Sequence, residues 1–237
     1  MLDFVSIGAQ KAGTTWLHAA LSAHPQVRFP AGKEVHFWNR HRARGIDWYR
    51  AQFSHGSPDL RRGDITPAYA ILPQDTIREV HECDPGLRIL YTLRNPIDRA
   101  WSAALMVLTR GDMTVDEASD AWFLDCFRSR GSTMRGDYET CLRNWRAVFP
   151  EEQILVLRYE VLCEDSLGYL KACCDHIGVA PGFFEQERPE ILGKRVYAGP
   201  GVPLRESLRA GLHDLYADQI ASLAVYLGVD LSAWLEG

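Results

Sequence analysis

Three short runs, Phe4–Ile7, Arg88–Leu93 and Ile154–Leu157, are almost wholly apolar and show no polar alternation. Such runs predict parallel strands covered on both faces. Val27-Arg-Phe29 is a candidate for a further short strand. Between these runs the apolar positions change to helical spacing. The stretch Thr14–Ala23 reads as a helix that stops at His24-Pro25, because proline disfavours a helical residue before it. Ile97–Leu108 carries Ala100, Trp101, Ala104, Leu105 and Leu108 on one face, with Pro96 placed for the first turn. Helices are also expected around Trp48–Phe53 and over residues 73–83, 117–128, 138–147, 166–178 and 204–227. Strands alternating with helices predict an α/β fold, a parallel sheet flanked by helices on both faces. No repeat or linker divides the sequence, so residues 1–237 are expected to form one domain.

Composition narrows the function. The net charge of −5 argues against a nucleic-acid partner, whose binders carry a basic surplus, yet permits a small anion in a local basic pocket. The six cysteines (Cys83, Cys126, Cys141, Cys163, Cys173, Cys174) form no CxxC pair and no zinc spacing, and read as buried reduced thiols. The opening residues lack the pattern of a signal peptide, and no apolar run approaches a membrane span. A cytoplasmic protein is the expectation.

The most informative segment is Gly8-Ala-Gln-Lys-Ala-Gly-Thr-Thr-Trp-Leu17. A strand, a glycine-bearing turn and a helix start make an anion site, since the free N–H groups and the positive helix end face the ligand. Gly13 allows close backbone approach, Lys11 adds a charge, and Thr14 and Thr15 offer hydroxyls. Gly8 and Gly13 have the separation of the GxxxxGK[ST] loop, but Thr14 stands where that loop has its lysine. A small-molecule kinase is thereby disfavoured, and the strand ending at Leu93 provides no aspartate for magnesium.

Lys11-Ala12-Gly13-Thr14-Thr15-Trp16-Leu17 resembles the 5'-phosphosulfate loop of sulfotransferases that use 3'-phosphoadenosine-5'-phosphosulfate (PAPS). Leu93–Ser102 resembles the family's 3'-phosphate segment, which implies that Arg94 and Ser102 bind that phosphate; Arg99 reads as structural or as the partner of a carboxylate. Lys33-Glu-Val-His-Phe37 resembles the Glu-x-His-Phe segment of the carbohydrate branch, the one that includes the heparan sulfate enzymes. Trp48-Tyr49, Thr66-Pro-Ala-Tyr69 and the run Gly136-Asp-Tyr138, Leu142, Trp145, Phe149-Pro150 also resemble that branch. The resemblance covers about residues 4–160. It implies a PAPS donor, a sugar, lipid-linked or secondary-metabolite acceptor, and Glu34 as the base, with His36 its rival. It further implies Tyr138 near the nucleotide, unless that residue is core, and leaves Trp16 either near the nucleotide or in the core. Lys194 and Arg195, with the Gly199-Pro-Gly201 turn, are candidates for the C-terminal clamp.

The sequence departs from the pattern at Ile65, where many of those enzymes have a sulfate-contacting lysine; Asp64 precedes it. Lys11 then carries the sulfate alone or with Lys33. In-line transfer needs cationic and N–H donors at the departing oxygen and a base at the acceptor. With those donors present no metal is required. Arg61-Arg62 and the group Arg40, His41, Arg42, Arg44 read as solvated faces or as a contact for an anionic acceptor. A nucleotide-binding protein without catalysis is the remaining alternative.

Overall fold

The computed structural model describes residues 2–54, 57, 59–192 and 201–236. They divide into two compact units, Met1–Leu93 with Leu142–Tyr197, and Arg94–Cys141 with Ala198–Gly237.

The first unit is built on a five-stranded sheet. Its strands are β1 (Phe4–Gly8), β2 (Val27–Arg28), β3 (Arg61–Ile65), β4 (Arg88–Leu93) and β5 (Ile154–Arg158). They lie in the order β2-β3-β1-β4-β5 and every pairing is parallel. All five residues of β1 are buried, as expected of a strand with a neighbour on each edge and side chains covered on both faces. The helices Thr14–Ala23 and Ser166–Ile177 bring Leu17, Leu21, Leu170, Cys173 and Ile177 into one core with Phe4, Ile65 and Leu90. Flanking helices and a parallel sheet agree with the α/β reading.

The strand β3 was not foreseen. Its sequence Arg-Arg-Gly-Asp-Ile is polar for most of its length, and Arg61-Arg62 read as a solvated face. What makes it a strand is Asp3, just before β1. The Arg62 N–H donates to Asp3 Oδ2 at 2.8 Å, the Asp3 N–H donates to the Arg62 carbonyl at 2.9 Å, and both guanidinium groups lie 3.6 Å from the Asp3 carboxylate. Further along, Gly63 leaves room for two rings: a Cβ there would sit 2.2 Å from Phe4 Cζ and 2.6 Å from Phe29 Cε1. Close ring approach thus takes the place of the apolar residue the pattern would call for.

The second unit is helical. Pro96–Arg110 is capped by Asn95, whose Oδ1 accepts the Ile97 N–H at 3.0 Å. Asp120–Arg128 is capped by Ser119, and Glu206–Leu227 ends at left-handed Gly228. The short helices Arg130–Gly136 here, and Tyr159–Glu164 and Phe183–Gln186 in the first unit, lacked an apolar period long enough to foretell. Arg99 is fully buried in the second unit and donates to the Ser132 carbonyl (2.9 Å), Ser132 Oγ (3.0 Å) and the Tyr216 hydroxyl (3.3 Å). That is a structural role. Trp101 is core, as its spacing implied, with its indole N–H bonded to the Val202 carbonyl at 2.8 Å.

Cys141, Cys173 and Cys174 are buried thiols as expected, but Cys163 is exposed. Among the described residues no helix is long and apolar enough to cross a membrane.

Gly63→Ala tests how tightly β3 packs. Overpacking of this kind typically costs ~1–3 kcal/mol, so the variant is expected to unfold at lower urea with an unchanged m-value. Unaltered stability would show that Phe4 and Phe29 move aside freely.

Candidate active site

The segment after β1 turns sharply through Gly8 and Gly13, both at positive φ (137° and 79°), and enters the helix Thr14–Ala23. Lys11 is also left-handed, at φ 71°, an uncommon state for a residue with a side chain and one that marks functional turns. The Ala9 N–H donates to the Thr92 carbonyl at 2.8 Å and ties the turn to the end of β4, while the Ala12 N–H is used within the turn, donating to the Ala9 carbonyl at 3.2 Å. No side chain caps the helix start at Gly13. Its first-turn amides are thus presented as anion donors, alongside the half-buried Lys11, the buried Thr14 and the exposed Thr15. Behind the turn, a Cβ on Gly13 would lie 2.7 Å from Leu162 Cδ2 and 3.3 Å from Tyr159 Cε2. Trp16 packs edge-on against Tyr169 at 6.2 Å between ring centroids, which gives it a role in packing.

The second cluster is Lys33-Glu-Val-His36. Both Glu34 (φ 65°) and His36 (φ 57°) are left-handed. One Glu34 oxygen is paired with the Lys33 ammonium and the other lies 3.2 Å from His36 Nε2. A carboxylate only accepts, so the Nε2 proton points at Glu34; Nδ1 lies 3.2 Å from the Asn39 side-chain oxygen. Burial alone would push the Glu34 carboxyl up, but Lys33 and His36 outweigh it and hold the group below the usual carboxylate range. Lys33 is therefore engaged with the carboxylate.

Three successive amides anchor this loop to the end of β3. The Glu34 N–H donates to the Ile65 carbonyl (3.1 Å), the Val35 N–H to Asp64 Oδ1 (3.4 Å), and the His36 N–H to Thr66 Oγ1 (3.5 Å). Asp64 and Thr66 are completely buried, and burial raises the Asp64 carboxyl despite the donors around it. Next in the chain, the Thr66 N–H donates to the Ser6 carbonyl of β1 at 3.1 Å, and a Cβ on Gly8 would stand 3.1 Å from the Pro67 carbonyl oxygen. The lysine turn and the glutamate loop thus sit together at the carboxyl ends of two adjacent parallel strands, where ligands of open α/β sheets bind. Sequence reading noted Asp64 only as a neighbour of Ile65; its signal was a lone carboxylate two residues before a Thr-Pro turn.

In the second unit Arg94 lies 3.8 Å from Asp98, one turn along, and Ser102, a further turn on, is half-buried. Tyr138 is fully buried, and its hydroxyl donates to the Arg94 carbonyl at 2.8 Å, which fixes the backbone that carries the guanidinium. Its environment is that of a core tyrosine. Lys194, Arg195, Gly199 and Pro200 lie outside the described residues.

Comparison with known proteins extends these observations. The family described as Sulfotransferase domain matches residues 2–197. Heparan sulfate glucosamine 3-O-sulfotransferase 6 of Mus musculus is 30% identical over 176 residues, 73% of this chain and 51% of that protein. Heparan sulfate glucosamine 3-O-sulfotransferase 3B1 of Homo sapiens is 28% identical over 181 residues, 74% of this chain and 45% of that protein. The chain spans about half the length of the curated relatives it matches. A solved sulfotransferase from Alicyclobacillus acidocaldarius has a TM-score of 0.75 at 23% identity, covering 99% of this chain and 98% of its own. Mouse sulfotransferase SULT7A1, solved in complex with PAP, has a TM-score of 0.56 at 17% identity, covering 92% of this chain and 83% of its own. At these identities the two structures speak for the fold.

The lowered Glu34 ionisation has a measurable sign. A carboxyl depressed in the folded state adds stability above its unfolded pKa, ordinarily near 4.5, and that stability is lost as the pH falls through the folded value. The stability difference between the wild-type chain and Glu34→Gln is expected to hold at neutral pH and to shrink below pH 4.5. A difference that instead grows on acidification would mean Lys33 and His36 do not stabilise the carboxylate.

Proposed function

The chain belongs to the sulfotransferase family, and we propose that it transfers a sulfuryl group from PAPS to a sugar hydroxyl, with Glu34 as the base. The observation that carries this reading is the adjacency of the uncapped lysine turn and the ionised Glu34 at the ends of β1 and β3. The turn fits a phosphosulfate: it offers a helix start without a side-chain cap, a cation and a backbone that a ligand can approach closely. The sugar acceptor is supported by the names of the glycan-modifying relatives.

Residue roles follow from chemistry. Lys11, the amides from Gly13 to Trp16 and the hydroxyls of Thr14 and Thr15 hold the 5'-phosphosulfate and take up the charge that builds on the departing oxygen. Ala12 shapes the turn. The acceptor oxygen bonds to sulfur as the bond from sulfur to the 5'-phosphate oxygen breaks, the acceptor proton passes to Glu34, and PAP departs. Lys33 and His36 orient the carboxylate; His36 remains the rival base. Arg94 and Ser102 take the 3'-phosphate, with Tyr138 acting through the Arg94 backbone. Lys194 and Arg195 retain their proposed part as a clamp. A single domain over 1–237 stays a proposal; in its favour the family match over residues 2–197 includes Arg94–Cys141 of the second unit as well as the first. A cytoplasmic location stays part of the proposal and rests on the sequence, whose six cysteines form no CxxC pair and read as reduced thiols.

Two measurements test the proposal. PAP binds the folded chain only and is expected to raise its melting temperature well above any rise given by ATP with magnesium. The reverse order would favour the kinase reading. The second follows PAP release from PAPS with heparan sulfate as acceptor. Glu34→Gln is expected to lose ~10²–10⁴ in turnover with PAP affinity unchanged, whereas Lys11→Ala loses both affinity and rate. Normal turnover by Glu34→Gln together with an inactive His36→Asn would assign the base to His36.

A further inference from the structure

Glu34 and His36 hold a backbone conformation that residues with side chains rarely adopt, so something must over-determine it. Within residues 33–37 the means is visible. Consecutive amides at 34, 35 and 36 go to residues 65, 64 and 66, and two of the three acceptors are side chains. Those two side chains are joined: the Thr66 hydroxyl donates to Asp64 Oδ1 at 2.6 Å, which leaves the Thr66 oxygen free to accept from the His36 amide. The other Asp64 oxygen accepts from the Tyr49 hydroxyl at 3.4 Å, and Tyr49 is itself locked between Phe37, stacked at 4.5 Å, and Phe53 at 5.1 Å. The acceptors Asp64, Ile65 and Thr66 and the supporting Tyr49 are all buried, so this side of the network is shielded from solvent, while Glu34 and His36 are half-buried.

We propose that Asp64 and Thr66 are positioning residues for sulfuryl transfer, a buried hydrogen-bonded pair that holds the Glu34–His36 loop in its left-handed form. The pair touches neither donor nor acceptor. It fixes the direction in which the Glu34 carboxylate and the His36 imidazole leave the backbone, and it does so from the residues flanking Ile65, the position at which the sequence departs from the resembled pattern. The assignment rests on Glu34 as the base.

Thr66→Val keeps the volume and removes the hydroxyl that links the two anchors; Thr66→Ser restores it. Asp64→Asn keeps one oxygen for the Val35 amide and the Thr66 hydroxyl. Each variant is examined by amide hydrogen exchange of the 33–37 segment, by the melting shift with PAP, and by PAP release from PAPS with and without heparan sulfate. In Thr66→Val the segment is expected to exchange ~10-fold faster or more and turnover to fall ~10–100-fold. The PAP shift stays at the wild-type value, which also shows that the variant is folded. Thr66→Ser recovers both exchange and turnover, and Asp64→Asn falls between. Wild-type exchange in both Thr66→Val and Asp64→Asn, or faster exchange with unchanged turnover, overturns the proposal, as does a Thr66→Ser no better than valine. Full turnover by Glu34→Gln alongside a collapsed Thr66→Val would remove Glu34 as the base while leaving the anchoring of the loop upheld.

Discussion

The pairing of β1 with β3 on one edge and β4 on the other is the constraint from which the candidate site follows. Parallel strands finish at the same end of the sheet, so the segments that leave them are forced into proximity wherever they lie in the sequence. The turn after β1 gains its tie to β4 through the Ala9 amide, and the segment after β3 gains its tie to β1 through the Thr66 amide. The Glu34 loop, which leaves no long strand of its own, borrows this order by docking its amides on the end of β3. Displacing β3 would move the glutamate and the lysine turn apart even though neither residue belongs to that strand.

Legibility in the sequence tracked the locality of the cause. The helix Thr14–Ala23 and the strands β1, β4 and β5 announce themselves through runs of apolar residues. Strands β1 and β4 are buried almost throughout, whereas β5, at the sheet edge, buries only Ile154 and is half-buried or exposed beyond it, less covered than its apolar run implied. The turn that carries Lys11, Gly13 and the threonines was readable because a glycine-bearing link from a strand to a helix start is a local pattern. The strand β3 was not, since its stability comes from Asp3, fifty-eight positions upstream of Arg61, and from rings that close over Gly63. Arg99 and Tyr138 show the same limit: a buried arginine held by Ser132 and Tyr216, or a tyrosine hydroxyl on the Arg94 carbonyl, is a contact between distant segments. Asp64, noted in the sequence only as the residue before Ile65, is a fully buried acceptor.

The electrostatics of Glu34 bear on how the proton moves. General bases gain driving force when their pKa rises toward the working pH. Here Lys33 and His36 push the other way and leave the carboxylate ionised but weakly basic. In the role proposed for it, such a base would not strip a hydroxyl in advance. It would accept the proton only as the new bond to sulfur acidifies the acceptor oxygen, so geometry would matter more than basicity. That places the burden on whatever fixes the carboxylate in space, and the left-handed backbone at 34 and 36 is consistent with it.

Gly13 lies against Tyr159 and Leu162, from the segment that follows β5, with no room for even a methyl group between them. The turn therefore has one open side and one closed side. In evolutionary terms positions 13, 159 and 162 form a single unit of change: a side chain gained at the first requires volume given up at one of the others. A lineage that altered the backbone of the turn would carry the mark of it just beyond β5, in the residues packed against Gly13.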